Sequence, residues 1–369
     1  MNAVRAFAGA AAERLNPIVV KELRQAVRSR YVMAIILLFL LASFAALFIT
    51  LNLDISEDYY AGRSVFTALS SILFTTGMFF VPLYSAIRLA SERSGTNVDL
   101  MYVTAITPRQ IVTGKTLSGI VVLLLLFSVC APFLMFSYLL RGVDIPSMLL
   151  VLGLQFVLCV LALQAALFIA GIPLSRVFQI LLGLAGLNVL VTVVMWSAAG
   201  VFGMLLFGGG SFGASDVWQG IGVFLTVAVA LSLFFYVCAV SLLTPSLANR
   251  TWRLRVLITA LWPISLAGTV LLCVWNSNSE MILGWLVVTV MVLCCMLWVS
   301  VSEKSAWTRR MQKAVPRRLW LRVPFFLFYS TNAGGLIWNF MLFALTLGVM
   351  GAFPWVLDNI LKFTGRRSS

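Results

Sequence analysis

The chain has 369 residues, 62% of them hydrophobic and only 10% charged, with a mean hydropathy of +1.04 and a formal net charge of +14. A soluble domain carries about 25% charged residues, so a water-soluble globule is excluded, and apolar runs of roughly 18 residues or more read as bilayer-crossing helices. The positive charge does not point to nucleic acid, because no base-stacking or groove-reading module is present.

The first fifteen residues, "MNAVRAFAGAAAERL", lack the continuous apolar core of a cleavable signal, so the first span is expected to stay as an anchor. In "NPIVVKELRQAVRSR", Asn16 can cap a helix and Pro17 suits its first position. Val19, Leu23, Ala26 and Val27 recur at helical spacing, while Lys21, Arg24 and Arg28 fall elsewhere on the wheel. This predicts an amphipathic helix on the inner membrane surface, with Glu22 among its polar residues, serving as a positive anchor or a partner contact.

Nine apolar spans follow, at 31–53, 64–90, 116–140, 147–172, 177–207, 217–243, 256–275, 280–301 and 333–357. In lipid each must satisfy its own backbone, so all are expected to be helices of an all-α, polytopic membrane bundle. Three regions are expected: 1–30 with the interfacial helix, 31–243 as a six-helix core, and 244–369 as additional spans with a basic loop at 302–324.

Cytoplasmic loops are enriched in Lys and Arg. An inner N-terminus places six of them in 1–30, four in 88–115, one at Arg176, three in 244–256 and seven in 302–324, and leaves Arg63 and Arg141 outside. The N-terminus is therefore read as cytoplasmic. Lys362, Arg366 and Arg367 would then lie outside after nine crossings, so either the last segment re-enters or a tenth span is needed.

The loop "LASERSGTNVDLMYVTAITPRQIVTGK", 89–115, is the most punctuated polar segment. Thr96 and Asp99 fit a Thr-x-x-Asp cap, and Thr107-Pro108-Arg109-Gln110 fits a capping box with proline at the first helical position. The spacing predicts two short helices, the first with Leu100, Met101 and Val103 on an apolar side, and Gly114 allows a bend before the third span. "GKT" at 114–116 is no phosphate-binding loop: Arg109 stands where its first glycine belongs and no strand precedes it. Neither ATP binding nor enzymatic activity is expected of this chain.

The six cysteines fall within spans and read as small apolar side chains; with no histidine, neither metal nor disulfides are expected. Trp196, Trp218, Trp252, Trp262 and Trp338 suit interfacial belts. No predicted span centre carries a charge, unlike ion-coupled pumps, so energy for transport is expected to enter from outside the membrane domain.

Together, "NPIVVKELRQAVRSR" and "SERSGTNVDLMYVTAITPRQIVTGK" resemble the membrane subunit of type-2 ABC exporters, the ABC-2 permease family. The resemblance rests on Glu92-Arg93, Gly95-Thr96, Pro108 and Gly114-Lys115, and is specific over 16–140. It implies that 91–115 is a coupling segment docking on a separate ATP-binding subunit that carries ATP and Mg, with Glu92, Thr96, Asp99, Leu100 and Met101 in contact or capping roles and Arg93 and Lys115 next. It also implies a second permease chain, identical or paralogous, and location in a cell membrane such as the bacterial cytoplasmic membrane. The helices beyond about residue 250 depart from the family's six-helix core. The competing classes are an ion-coupled transporter or channel, a membrane-embedded enzyme built on Asp54, Glu57 and Asp58, and a non-transporting envelope protein.

Overall fold

The computed structural model describes residues 17–53, 61–93, 107–140, 143–172, 177–178, 180–186, 188, 192, 215–245, 249–276, 280–302, 319–329 and 331–363. The regular elements among them are helices: α1 (Pro17–Val27), α2 (Arg30–Leu53), α3 (Ala61–Arg93), α4 (Pro108–Leu139), α5 (Ile145–Ala170), α6 (Ser215–Leu243), α7 (Trp252–Asn276), α8 (Met281–Ser302), α9 (Leu319–Phe328) and α10 (Asn332–Phe363). Eight of these, all but α1 and α9, are long and apolar enough to cross a bilayer. The chain is thus an all-α, multi-pass membrane bundle, as its hydropathy requires.

Eight predicted spans have a helix at their position. The other, 177–207, is helical wherever described between 177 and 192, and its remainder, with Gly200 and Gly203, lies outside the described residues. Two boundaries differ instructively. α3 continues to Arg93, and α4 opens at Pro108 and runs unbroken through Gly114, so the second expected short helix is the opening of the third span itself and Gly114 makes no bend, while the first, after Thr96, lies outside the described residues. Ile111, Val112, Gly114 and Lys115 are buried there, and packing holds the glycine in helical conformation. α9 overlaps the end of the expected basic loop, and hydropathy missed it because "LWLRVPFFLF" is only 10 residues long and interrupted by Arg322 and Pro324.

The polypeptide forms two compact units, Met1–Leu243 and Thr244–Ser369. In the first, α3 and α5 are central. Phe66, Leu69 and Leu73 of α3 meet Phe39 of α2, Leu126 and Cys130 of α4 and Val151 of α5. A second layer joins Leu89 of α3 to Val112 of α4, Leu163 and Leu167 of α5 and Ala239 and Val240 of α6. Close approach is set by small residues: a Cβ on Gly119 would stand 2.6 Å from Leu163 Cδ2, and one on Gly77 3.0 Å from Cys159 Sγ. Without a hydrophobic drive between helices in lipid, such dispersion contacts supply much of the association.

The second unit packs α7, α8, α9 and α10, and its interior uses indole hydrogen bonds. Trp338 Nε1 donates to Thr259 Oγ1 at 2.9 Å, Trp262 Nε1 to Thr346 Oγ1 at 3.0 Å and Trp285 Nε1 to Ser265 Oγ at 2.9 Å. Trp338 is fully buried, and Trp262 packs edge-on against Trp285. Trp338 is a core residue, since a partner for the indole N–H makes burial favourable, and Trp262 is half-buried. Trp218 and Trp252 do remain exposed, and Trp196 lies outside the described residues.

Candidate functional site

α1 begins at Pro17 and lays one side against α4. Its buried stripe is Val19, Glu22 and Ala26, at helical spacing of three and four. Val27, expected on the apolar side, is exposed, and Lys21, Arg24 and Arg28 are exposed as their wheel positions predict. Leu23 is half-buried. The unexpected member is Glu22, an acid in the middle of the buried stripe.

Its burial is explained by Lys115, two turns into α4. Lys115 Nζ lies 3.1 Å from Glu22 Oε1 and 2.9 Å from Glu92 Oε2 on the last turn of α3. The Lys115 and Glu22 side chains are 2% and 5% exposed and Glu92 is 36% exposed, so the cluster grades from dry to wet. Arg88, one turn before Glu92, completes it: its guanidinium is 3.8 Å from Glu22 Oε2, and it also donates to Gln25 Oε1 of α1 and, at 2.8 Å, to the Tyr84 hydroxyl. Two acids and two bases balance formally, which a site with so little water requires.

The surroundings join this cluster to the rest of the unit. Thr107 caps α4 as its spacing predicts: its main-chain N–H donates to Gln110 Oε1 at 2.9 Å, and its hydroxyl accepts from Gln110 N. Thr113 Oγ1 and Tyr236 OH of α6 are 2.9 Å apart, and Gln164 Nε2 of α5 donates to Thr116 Oγ1 at 3.3 Å. The charged end therefore engages α1, α3, α4, α5 and α6.

Of the residues singled out from sequence, the structure brings together Glu22, Glu92 and Lys115, and places Gly114 and Pro108 on the same helix as Lys115. Lys21, Arg24 and Arg28 do not enter the cluster contacts described above, and Arg93 ends α3. Gly95, Thr96, Asp99, Leu100 and Met101 lie outside the described residues. Sequence reading missed Arg88, Gln25 and Tyr84. The available signal was the i, i+4 pattern Tyr84, Arg88, Glu92, a polar stripe at the end of an otherwise apolar helix.

The second unit holds its own buried cation. Arg255, near the start of α7, is fully buried, and its guanidinium donates to the main-chain carbonyls of Leu327, Tyr329 and Thr331 at the α9–α10 junction. Gly335 makes room for it: a Cβ there would stand 2.5 Å from Arg255 Nη2 and 2.7 Å from Ser300 Oγ. The sequence assigned Arg255 to a basic inner loop as one topology charge among three.

Helical architecture and span count define the class, a multi-pass membrane protein. No family model matches the chain, and no curated protein or solved structure matches it.

Proposed function

We propose that the chain is the permease subunit of an ABC-type exporter of the ABC-2 kind, working with a second permease chain and a separate subunit that binds and hydrolyses ATP. One observation carries this reading: Lys115 is buried between Glu22 and Glu92, so the two helices that flank 94–106 are tied to each other and to α1. Pulling α4 away would take the buried Lys115 from both of its carboxylates, at a cost of about 3–5 kcal/mol. A force applied to 94–106 is then delivered to α1, α3 and α4 as one body rather than dissipated in a loose connection. Glu92, at the wet edge beside that segment, is the member placed to sense a docked partner.

In this reading the ATP-binding subunit docks on the segment with Asp99, Leu100 and Met101, and its ATP-driven closure rocks the bundle between inward- and outward-facing states. Coupling of this kind is reciprocal, so substrate binding in the bundle must also change nucleotide affinity in the partner. The test is co-purification of the tagged protein from its native membrane, with assay of the eluate for ATPase activity. An ATPase should accompany the wild type and be lost from the Asp99→Arg, Leu100→Asp double variant, which should keep the wild-type elution profile. An eluate without ATPase, or equal retention by the variant, overturns the proposal.

A further inference from the structure

One side of α1 is committed to the bundle, and the rest of its surface is sorted by chemistry. With about 100° of turn per residue, the buried Val19, Glu22 and Ala26 share one arc of about 60°, and the exposed Lys21, Arg24 and Arg28 share another roughly opposite it. Val20, Leu23 and Val27 fill the arc between them on one flank; the first two are half-buried and Val27 is 63% exposed. The helix thus keeps an apolar strip beside a basic one after its docked side is satisfied.

Its depth is set by what it touches. Glu22 pairs with Lys115 near the start of α4, and Gln25 accepts from Arg88 near the end of α3. The turn into α2 is tight: Ser29 N–H donates to the Ala26 carbonyl at 3.1 Å, and Met33 N–H to the Ser29 carbonyl at 3.1 Å. α2, α3 and α4 are each long and apolar enough to cross a bilayer, and by alternate crossing these three ends lie on one side of it. α1 therefore lies where hydrocarbon gives way to headgroups. Its acid, Glu22, is turned into the bundle, and among the described residues no acid pairs with Lys21, Arg24 or Arg28. At spacings of three and four these cations repel one another along the helix, and an anionic surface relieves that repulsion.

We propose that the outer side of α1 rests on the adjoining leaflet, with Val20, Leu23 and Val27 in the hydrocarbon border and Lys21, Arg24 and Arg28 on the phosphates of anionic lipids. Charge complementarity selects an acidic occupant, and the apolar flank at the level of the membrane border selects lipid over a protein groove. α1 is then clamped between Lys115 and Arg88 on its docked side and headgroups on the other, so anionic lipid reinforces the Glu22 joint from outside. The contact is independent of the transporter reading and would hold for a non-transporting protein too.

The test is hydrogen exchange, read by mass spectrometry on the full chain in nanodiscs of palmitoyl-oleoyl phosphatidylcholine, alone or with an equal amount of palmitoyl-oleoyl phosphatidylglycerol. Amides of 17–28 should exchange at least about fivefold more slowly in the anionic discs, the factor that one basic residue near such a surface supplies. Lys21→Gln with Arg24→Gln and Arg28→Gln, three surface changes, should remove that difference. Val27→Glu should speed exchange of the segment severalfold in both discs. Wild-type protection of α3 and α5 in each variant reports that the bundle is intact. Equal exchange of 17–28 in the two discs, or a lipid difference that survives the triple change, would overturn the contact. No effect of Val27→Glu would place that strip outside the hydrocarbon and overturn the proposal in favour of an acidic protein partner.

Discussion

Lys115 in the first unit and Arg255 in the second are both buried cations near the N-terminal ends of their helices, and they are held by different chemistry. Lys115 meets carboxylates on two other helices, whereas Arg255 donates to main-chain carbonyls of the α9–α10 junction. An ammonium is a point charge on a flexible stem, and its side-chain partners can exchange or be replaced. A guanidinium is a rigid fork, and carbonyls set by the backbone give it one geometry. The first arrangement suits a joint that transmits movement between helices; the second suits a fixed corner.

Reporters for each unit are built in. Cys130, Cys159 and Cys238 are buried thiols of the first unit and Cys273 is a buried thiol of the second, so labelling by a thiol reagent during heating reads the units separately, peptide by peptide. The largest effect is expected from Lys115→Met, which leaves the buried Glu22 with only the 3.8 Å contact to Arg88 and should cost about 3–5 kcal/mol. Labelling of Cys130, Cys159 and Cys238 should move to lower temperature while that of Cys273 stays. Adding Glu22→Gln and Glu92→Gln should restore most of the loss. Failure of that rescue would mean that packing by the lysine stem, and not charge balance, holds the joint.

Arg255→Met should reverse the pattern, bringing Cys273 forward and sparing the first unit. Its cost is about 3 kcal/mol, taking the low end of about 1–3 kcal/mol for each of the three carbonyls left without this donor. Arg255→Lys should recover only part of it. Equal stability of the lysine variant and the wild type would show that charge alone suffices and dissolve the contrast between the two sites.

Gly335→Ala is a gentler probe of the same corner. The added methyl must displace Arg255 Nη2 or Ser300 Oγ, and an overpacking cost of about 1–3 kcal/mol is expected, seen as earlier labelling of Cys273. Smallest of all should be Glu92→Gln. That side chain is 36% exposed and solvent screens the pair, so less than about 1 kcal/mol of stability is at stake. Under the transporter reading the same change should reduce ATPase stimulation far more than stability, which separates a joint from a mere brace.

Some of this was legible in the amino-acid order. The capping box at Thr107 and Gln110 reports only on neighbours along the chain, so spacing sufficed to find it. The membrane class followed from hydropathy, because lipid makes the same demand on every backbone group regardless of what packs beside it. Glu22 was visible as a polar residue of α1 but not as a buried one: its burial depends on Lys115, 93 positions away, and no local pattern announces that partner.

What the sequence alone determined is therefore the positions of the eight spans described, the helix α1 and the cap that opens α4, all consequences of short-range periodicity and of transfer from water to lipid. Tertiary structure decided which charges left the surface. Arg255 and Lys115 look like topology charges until distant carbonyls and carboxylates are brought within hydrogen-bond reach, and the burial of Trp338 depends on the Thr259 hydroxyl that accepts its N–H. A buried polar group is stable only with its partner in place, and partners separated by tens of residues are supplied by packing, not by pattern.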